Sequence, residues 1–249
     1  MITLTSANLD IDAANELLRS EDAPAIIQWA ADLFGDRLVM TSSFGAESAV
    51  MLHLATRVVP NIPVILVDTG YLFGETYLFI QKLTDRLHLN LKVYQSPISP
   101  ARMEATNGRL WEKGTQEALN LYDRVRKVEP MQRALDEVGA HAWLAGLRRT
   151  QTKFRSALRF VEAQGDVAKI HPVLNWTTRD MHAYLKNHDL PYHPLYEKGY
   201  TSIGDWHTTA PVTAGMGDRE GRFHGLKQEC GLHLPQTQAE SQSRESSGL

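Results

Sequence analysis

The order of apolar segments predicts an α/β protein with a mainly parallel, twisted sheet and helices on both faces. Short apolar runs of strand length alternate with longer stretches of helical apolar spacing, the pattern of parallel strands joined by crossover helices. The run Pro63 to Val67 is nearly continuous in apolar residues, as expected of a strand covered on both sides. A small-residue turn, Ser42-Ser43-Phe44-Gly45-Ala46-Glu47-Ser48, leads from a strand into an apolar-periodic helix. Backbone N–H groups at such a helix start suit an anion, although the same turn also serves as an ordinary connection.

The elements follow in order. Residues 10 to 34 read as two helices, with Ile26, Ile27, Ala30, Ala31, Leu33 and Phe34 at helical spacing and Gly35 as the stop. Arg37 to Thr41 is a short strand, and the helix after the Ser42 turn runs through Val50, Met51, Leu54 and Val58. The Pro63–Val67 strand ends in Asp68-Thr69-Gly70, followed by a helix from Gly74 to Leu87. Strand ends of this kind face ligands in open α/β sheets, with Gly70 permitting close approach; alternatively Asp68 and Thr69 only cap the turn. Asn90 to Tyr94 is a strand, and residues 99 to 138 are helical with breaks near Gly108 and Gly114. Pro130 places Lys127 just before a new helix, as a ligand contact or as a solvated charge. His141 to Ala145 is a strand whose exit carries Arg148 and Arg149, followed by Arg155 and Arg159. Paired guanidinium groups at a strand exit suit phosphate oxygens, the alternative being two surface charges. A strand over Lys169 to Leu174 and a helix from Thr177 to Asn187, opened by a capping-box pattern, complete the regular elements. Tyr200 to Met216 is irregular, and Arg219 and Arg222 share a face if their segment is helical.

Composition narrows the function classes. At 249 residues the chain holds one sizeable core or two small ones, and 43 % hydrophobic with 22 % charged residues is ordinary for a globular protein. A net charge of −3 gives no general attraction to nucleic acid or anionic membrane, so an anionic ligand needs a local focus of Arg and Lys. No apolar run is long enough for a bilayer, and Met1 to Asp10 lacks a secretory pattern, so a reducing cytoplasmic location is expected. His182, His188 and His193 have no supporting ligand pattern, and no metal site is expected. The single cysteine, Cys230, excludes an intrachain disulfide and a Cys-ligated cluster held by one chain. It lies in Lys227-Gln228-Glu229-Cys230-Gly231-Leu232-His233, with cations that favour a thiolate and Glu229 opposing them.

Glu-Cys-Gly-Leu-His near a C-terminus resembles the signature of the adenylylsulfate and phosphoadenylylsulfate reductases. The Ser42–Ser48 turn resembles their modified phosphate loop, Val-Asp-Thr-Gly-Tyr their Asp-Thr-Gly motif, Lys127-Val-Glu-Pro their lysine segment, and Arg148-Arg149 their arginine loop. The resemblance covers roughly residues 20 to 234 and implies an adenine nucleotide alpha-hydrolase-like fold. It implies substrate contacts by Ser42, Ser43, Phe44, Gly45, Asp68, Thr69, Gly70, Lys127, Arg148, Arg149, Arg219 and Arg222. The resemblance does not assign the residues that read a 3′-phosphate, for which Arg148, Arg149 and Arg155 are the candidates by charge. It further implies a Cys230 thiolate that takes the sulfonyl group, assisted by His233, and a homodimer. A nucleotide-binding part over 1–216, a mobile catalytic segment over 217–234 and a disordered tail over 235–249 are expected. Sulfite release needs a second thiol that this chain does not carry, so thioredoxin or glutaredoxin is the expected external reductant. Relatives that take adenylylsulfate carry extra cysteine pairs for an iron–sulfur cluster; their absence favours the 3′-phosphorylated substrate. The alternatives are an ATP-pyrophosphatase-type adenylating enzyme, a nucleotide-binding redox sensor, and an adenylylsulfate reductase lacking a cluster.

Overall fold

The computed structural model describes residues 6–213, 215–217, 219–227, 229 and 231–233. Two N-terminal helices, α1 (Ile11–Leu18) and α2 (Ala23–Phe34), start at Asp10 and Asp22, whose carboxylates accept from the backbone N–H of Ala13 and Ala25. Strand β1 (Leu38–Thr41) then enters a sheet in which α3 (Ser48–Val58), β2 (Pro63–Val67), α4 (Gly74–Leu87) and β3 (Asn90–Tyr94) form two successive parallel crossovers. Helices α5 (Pro100–Asn107), α6 (Gln116–Asp123) and α7 (Glu129–Val138) lead to β4 (Ala142–Leu144), parallel to β1 on its other side. The chain continues through β5 (Val161–Gln164), β6 (Val167–Ile170) and α8 (Thr178–Asn187). The strand order is β3-β2-β1-β4-β6-β5, all parallel except the β5–β6 pair.

Alternation along the strands divides the apolar residues between two layers. Leu38 and Met40, Val64 and Leu66, and Leu144 face the layer containing α2, α3 and α8. Val39, Ile65 and Trp143 face α7 through Met131, Ala134 and Leu135. Helices therefore cover both faces, as the segment order predicts. Among the described residues no helix is long and apolar enough to cross a membrane.

Three expectations need correction. The strand expected over 169–174 is β6 at Val167–Ile170, and it is preceded by an antiparallel edge strand, β5, that the sequence reading lacks. The two are joined by the two-residue loop Gly165-Asp166, with Gly165 at φ 62° as a tight hairpin requires. Lys127 does precede α7, but the chain does not break there: Arg124–Val128 is a π-helical turn joining α6 to α7. The Glu129 N–H bonds to the Arg124 carbonyl, and Pro130, at the start of α7, has no N–H to lose. Arg219 and Arg222 lie on a turn rather than a helix, with Arg222 in an isolated antiparallel bridge to Thr209.

Candidate active site

Strand β1 is where the strand order reverses, since the chain steps from it to β2 on one side and later to β4 on the other. The crevice beyond the carboxyl ends of such strands is the usual ligand site of an open α/β sheet. A cavity of about 260 Å³ lies there, lined by Thr41 from β1, Val67 from β2 and Trp143 from β4. The Ser42–Glu47 turn forms one wall. Its shape comes from Phe44, which is fully buried with a left-handed backbone (φ 49°), its N–H donating to Ser42 Oγ at 3.1 Å. Ser42, Ser43 and Gly45 line the cavity; Phe44, expected among the ligand contacts, plugs the loop into the core instead.

The Asp-Thr-Gly loop divides in the same way. Thr69 lines the cavity and its hydroxyl donates to Asp205 Oδ1. Asp68 does not line the cavity: its Oδ1 accepts from the Gly70 N–H and Tyr77 hydroxyl, both at 2.8 Å, and its Oδ2 accepts from Gln95 Nε2 at 2.6 Å. Gly70 sits at φ 75°, where a Cβ would approach Pro100 Cγ to 2.7 Å. Both shape the loop from outside the cavity, and for Asp68 the contacts match the turn-capping alternative considered from the sequence. Buried Arg126, which the sequence reading does not single out, holds this loop by donating from Nε to the Thr69 carbonyl at 2.8 Å.

Charge gathers at the cavity as the composition argument requires. Five basic side chains line it (Lys127, Arg148, Arg155, Arg219 and Arg222) against two acidic ones, Glu47 and Asp205, in a chain whose net charge is −3. Lys127 Nζ lies 3.0 Å from Asp123 Oδ1 and 2.8 Å from Asp205 Oδ2, and Lys227 bonds the other oxygen of Asp123. Burial works to raise the Asp205 pKa, but the charge and hydrogen bond of Lys127, with the Thr69 hydroxyl, outweigh it and hold the carboxyl below its usual range. Arg148 Nη2 pairs with Glu47 Oε2 at 2.5 Å, while its Nε is buried without a hydrogen-bond partner; Arg222 Nε is in the same condition. Unsatisfied buried donors are costly and suit an incoming anion. Arg219 Nη1 and Arg222 Nη1 converge on Ser202 Oγ at 3.3 and 3.5 Å, so the turn achieves what a helical face was expected to do.

Arg149 lies apart from this cavity. Its Nε donates to the Leu158 carbonyl at 2.9 Å, its guanidinium lies over Phe160, and it opens onto a separate cleft with Asp12 and Arg159. The residue after an extended Arg148 projects to the opposite side, so only one of two adjacent arginines reaches the crevice. Sequence reasoning also leaves out Glu47, Gly204 and Asp205 as lining residues: Glu47 lies within the Ser42–Ser48 turn but is not singled out there, and Gly204 and Asp205 fall in an irregular stretch; Glu47 and Asp205 pair with residues from distant segments. Cys230 and the His233 side chain lie outside the described residues, as does the tail 235–249. Their neighbours are described: Glu229 pairs with Arg155, and Leu232 lines the cavity. Among the described residues no group of three or more His, Cys, Asp or Glu side chains is arranged to hold a metal. The histidines considered for one are dispersed: His182 Nδ1 meets Tyr192 Oη at 2.8 Å, His188 packs on Tyr184, and His193 Nε2 meets Thr76 Oγ1 at 2.9 Å.

Fold and crevice together define an α/β protein with a basic cavity at the carboxyl edge of its sheet. Comparison with known proteins narrows this. Residues 37–211 match the phosphoadenosine phosphosulfate reductase domain, and the chain belongs to that family. It is 56 % identical over 246 residues to the phosphoadenosine 5'-phosphosulfate reductase of a Synechocystis species, covering 98 % of this chain and 99 % of the relative. Among solved structures it resembles the phosphoadenylyl-sulfate reductase of Candida auris in its phosphate complex, with a TM-score of 0.71 and 32 % identity over 84 % of this chain and 99 % of that one. Candida glabrata FMN adenylyltransferase, at 16 % identity and a TM-score of 0.56 over 93 % of this chain and 79 % of that one, shares the fold alone.

Proposed function

We propose that this chain reduces 3′-phosphoadenylylsulfate to sulfite and adenosine 3′,5′-bisphosphate, an oxidoreductase reaction on a sulfur group. Family membership supports the reaction. The observation that carries its assignment to this crevice is the convergence of Lys127, Arg148, Arg155, Arg219 and Arg222 on one cavity, with Leu232 at its wall and Glu229 paired to the lining residue Arg155, one on either side of Cys230 in sequence. The nucleotide is a polyanion, and a low-dielectric crevice lined by these cations is where its charge is offset.

The steps follow from a single thiol. The Cys230 thiolate attacks the sulfur of the phosphosulfate; an S–S bond forms, the bridging S–O bond breaks, and its electron pair leaves with adenosine 3′,5′-bisphosphate. The basic side chains stabilise the charge that moves onto the departing phosphate. A thiolate of an external dithiol then attacks Cys230 Sγ and expels sulfite. Its second thiol resolves the mixed disulfide, so the dithiol is oxidised by two electrons and Cys230 is regenerated. One cysteine in the sequence supplies neither the second thiol nor the ligands of a cluster, which supports a thioredoxin- or glutaredoxin-type reductant and the 3′-phosphorylated substrate. A homodimer, cytoplasmic location and movement of 217–234 between nucleotide and reductant complete the reading.

The test measures sulfite formed from phosphoadenylylsulfate and reduced thioredoxin. The wild-type chain is expected to turn over and Cys230→Ser to be inactive while still binding nucleotide. An active serine variant would favour the adenylating alternative, which uses the same crevice without the thiol.

A further inference from the structure

We infer that the buried ion pair between Arg155 and Glu229 is a latch that positions Cys230 against the crevice, with Arg155 and Glu229 acting as positioning residues. The inference rests on the proposed reaction and adds to it a named device for holding the cysteine.

Glu229 immediately precedes Cys230 in a polar stretch, yet its side chain is only 5 % exposed and that of Arg155 only 4 %. The contact is two-pronged: Arg155 Nε donates to Glu229 Oε1 at 2.8 Å and Nη2 to Oε2 at 2.6 Å. Thr152 Oγ1 adds a bond to Oε1 at 3.2 Å, and Arg219 Nη2 lies 3.6 Å from Oε2. Arg155 is itself oriented by donating from Nη1 to Gln151 Oε1. On the other side of the cysteine, the Leu232 carbonyl accepts from Gln164 Nε2 at 3.3 Å and Lys169 Nζ at 3.4 Å. Lys169 is buried and lies 4.7 Å from the centre of the Trp143 ring, so this second anchor is built into the sheet. Gly231 between them is so close to the π-helical turn that a Cβ there would approach Val128 Cγ2 to 2.9 Å. The described residues flanking Cys230 thus meet three different elements.

Leu232 of this segment lines the cavity of about 260 Å³, so the seated segment borders the crevice without filling it. A folded dithiol protein cannot enter a space of that size, and the proposed second half-reaction therefore requires the segment to come away. A fully desolvated two-pronged pair suits this role. Once either partner is withdrawn, the other is left as an uncompensated buried charge, so intermediate positions are disfavoured and the segment is either seated or released. Glu229→Gln keeps the shape and removes the charge, which weakens seating without altering the nucleotide's own contacts.

The experiment follows S-sulfonation of Cys230 by intact mass, at timed intervals after mixing protein with phosphoadenylylsulfate and no reductant. Wild type, Glu229→Gln, Arg155→Ala and the double variant are compared. The affinity of each for adenosine 3′,5′-bisphosphate is measured by calorimetry. Each single variant is expected to form the adduct roughly 10-fold or more slowly, from loss of a charged hydrogen-bonded pair. The double variant should be no slower than Arg155→Ala, because both changes remove one interaction. Release of sulfite from preformed adduct by reduced thioredoxin should not slow. Equal adduct rates in wild type and Glu229→Gln would overturn the latch. So would effects that multiply in the double variant, or a loss of bisphosphate affinity in Glu229→Gln as large as its loss of rate, which would assign the pair to nucleotide binding or folding; Arg155→Ala also removes a cation that lines the cavity, so a lower affinity in that variant is expected. Absence of adduct in the wild type would overturn the proposed reaction itself, and the latch with it.

Discussion

Replacing Lys127 by methionine tests the electrostatic centre of the site. Its ammonium lies within 3.0 Å of Asp123 Oδ1 and 2.8 Å of Asp205 Oδ2, and both carboxylates are almost wholly buried. Asp123 keeps Lys227 in the variant, whereas Asp205 keeps the Thr69 and Tyr122 hydroxyls and a favourable electrostatic contribution from His207, but no lysine. Removing one partner of a buried pair costs about 3–5 kcal/mol, and in a chain of this size each kcal/mol moves Tm by about 2–4 °C, so a fall on the order of 10 °C is expected near neutral pH. The pH dependence identifies the cause. In the wild type the depressed Asp205 pKa contributes stability above the ordinary carboxylate range, lost only as pH falls through the depressed folded value. Without the cation, burial dominates and the folded pKa rises above the unfolded one, so the variant's penalty is full at high pH and is relieved as the carboxyl protonates. Thermal unfolding followed by circular dichroism should show a gap between the two proteins that is wide near about pH 8 and narrower near about pH 5. A constant gap, or one below about 1 kcal/mol, would refute the reasoning.

Further outcomes follow from the same geometry. Arg148→Ala is expected to raise KM for the nucleotide roughly 10-fold or more by removing a charged donor, whereas Arg149→Ala, which faces a different cleft, should leave KM unchanged. At Gly204 a Cβ would collide with the Arg222 guanidinium; because that side chain can swing away, Gly204→Ala should weaken nucleotide affinity, read by calorimetry, with little change in Tm. Burial lowers the His193 pKa to about 4, and its Nδ1 accepts from the Leu195 N–H, so the ring is neutral in the fold. Since its folded pKa is below the unfolded value, its stability contribution is present above about pH 6.5 and is lost as pH falls towards 4, by up to about 3 kcal/mol. Denaturant unfolding across that range should show this decline, and His193→Gln should flatten it.

Much of the architecture was readable because it is written in local pattern. The Pro63–Val67 run, the helix over Gly74–Leu87 and the Thr177/Asp180 capping box each depend on neighbours within one element, and the structure has all three. The β5–β6 hairpin escaped because β5 is four residues long with only modest alternation, although Gly165-Asp166 was a usable turn signal. Within the site, Ser42, Thr69, Lys127 and Arg148 were legible from their places at strand ends or helix starts. Asp68, Gly70 and Phe44 belong to the same motifs but shape the loops from behind, a distinction spacing alone does not carry. Asp205 and the Arg155–Glu229 pair depend on segments 74 or more residues apart, and only the fold brings them together. Arg219 and Arg222 reached the crevice by a bridge and a shared serine where a helical face was expected.

The most direct measurement locates the sulfur. Protein mixed with phosphoadenylylsulfate without reductant, then digested and mapped by mass spectrometry, should carry one SO3 group on the peptide containing Cys230, and reduced thioredoxin should discharge it as sulfite. A peptide that stays unmodified in protein shown to bind the nucleotide, or sulfite formed by Cys230→Ser, would contradict the account.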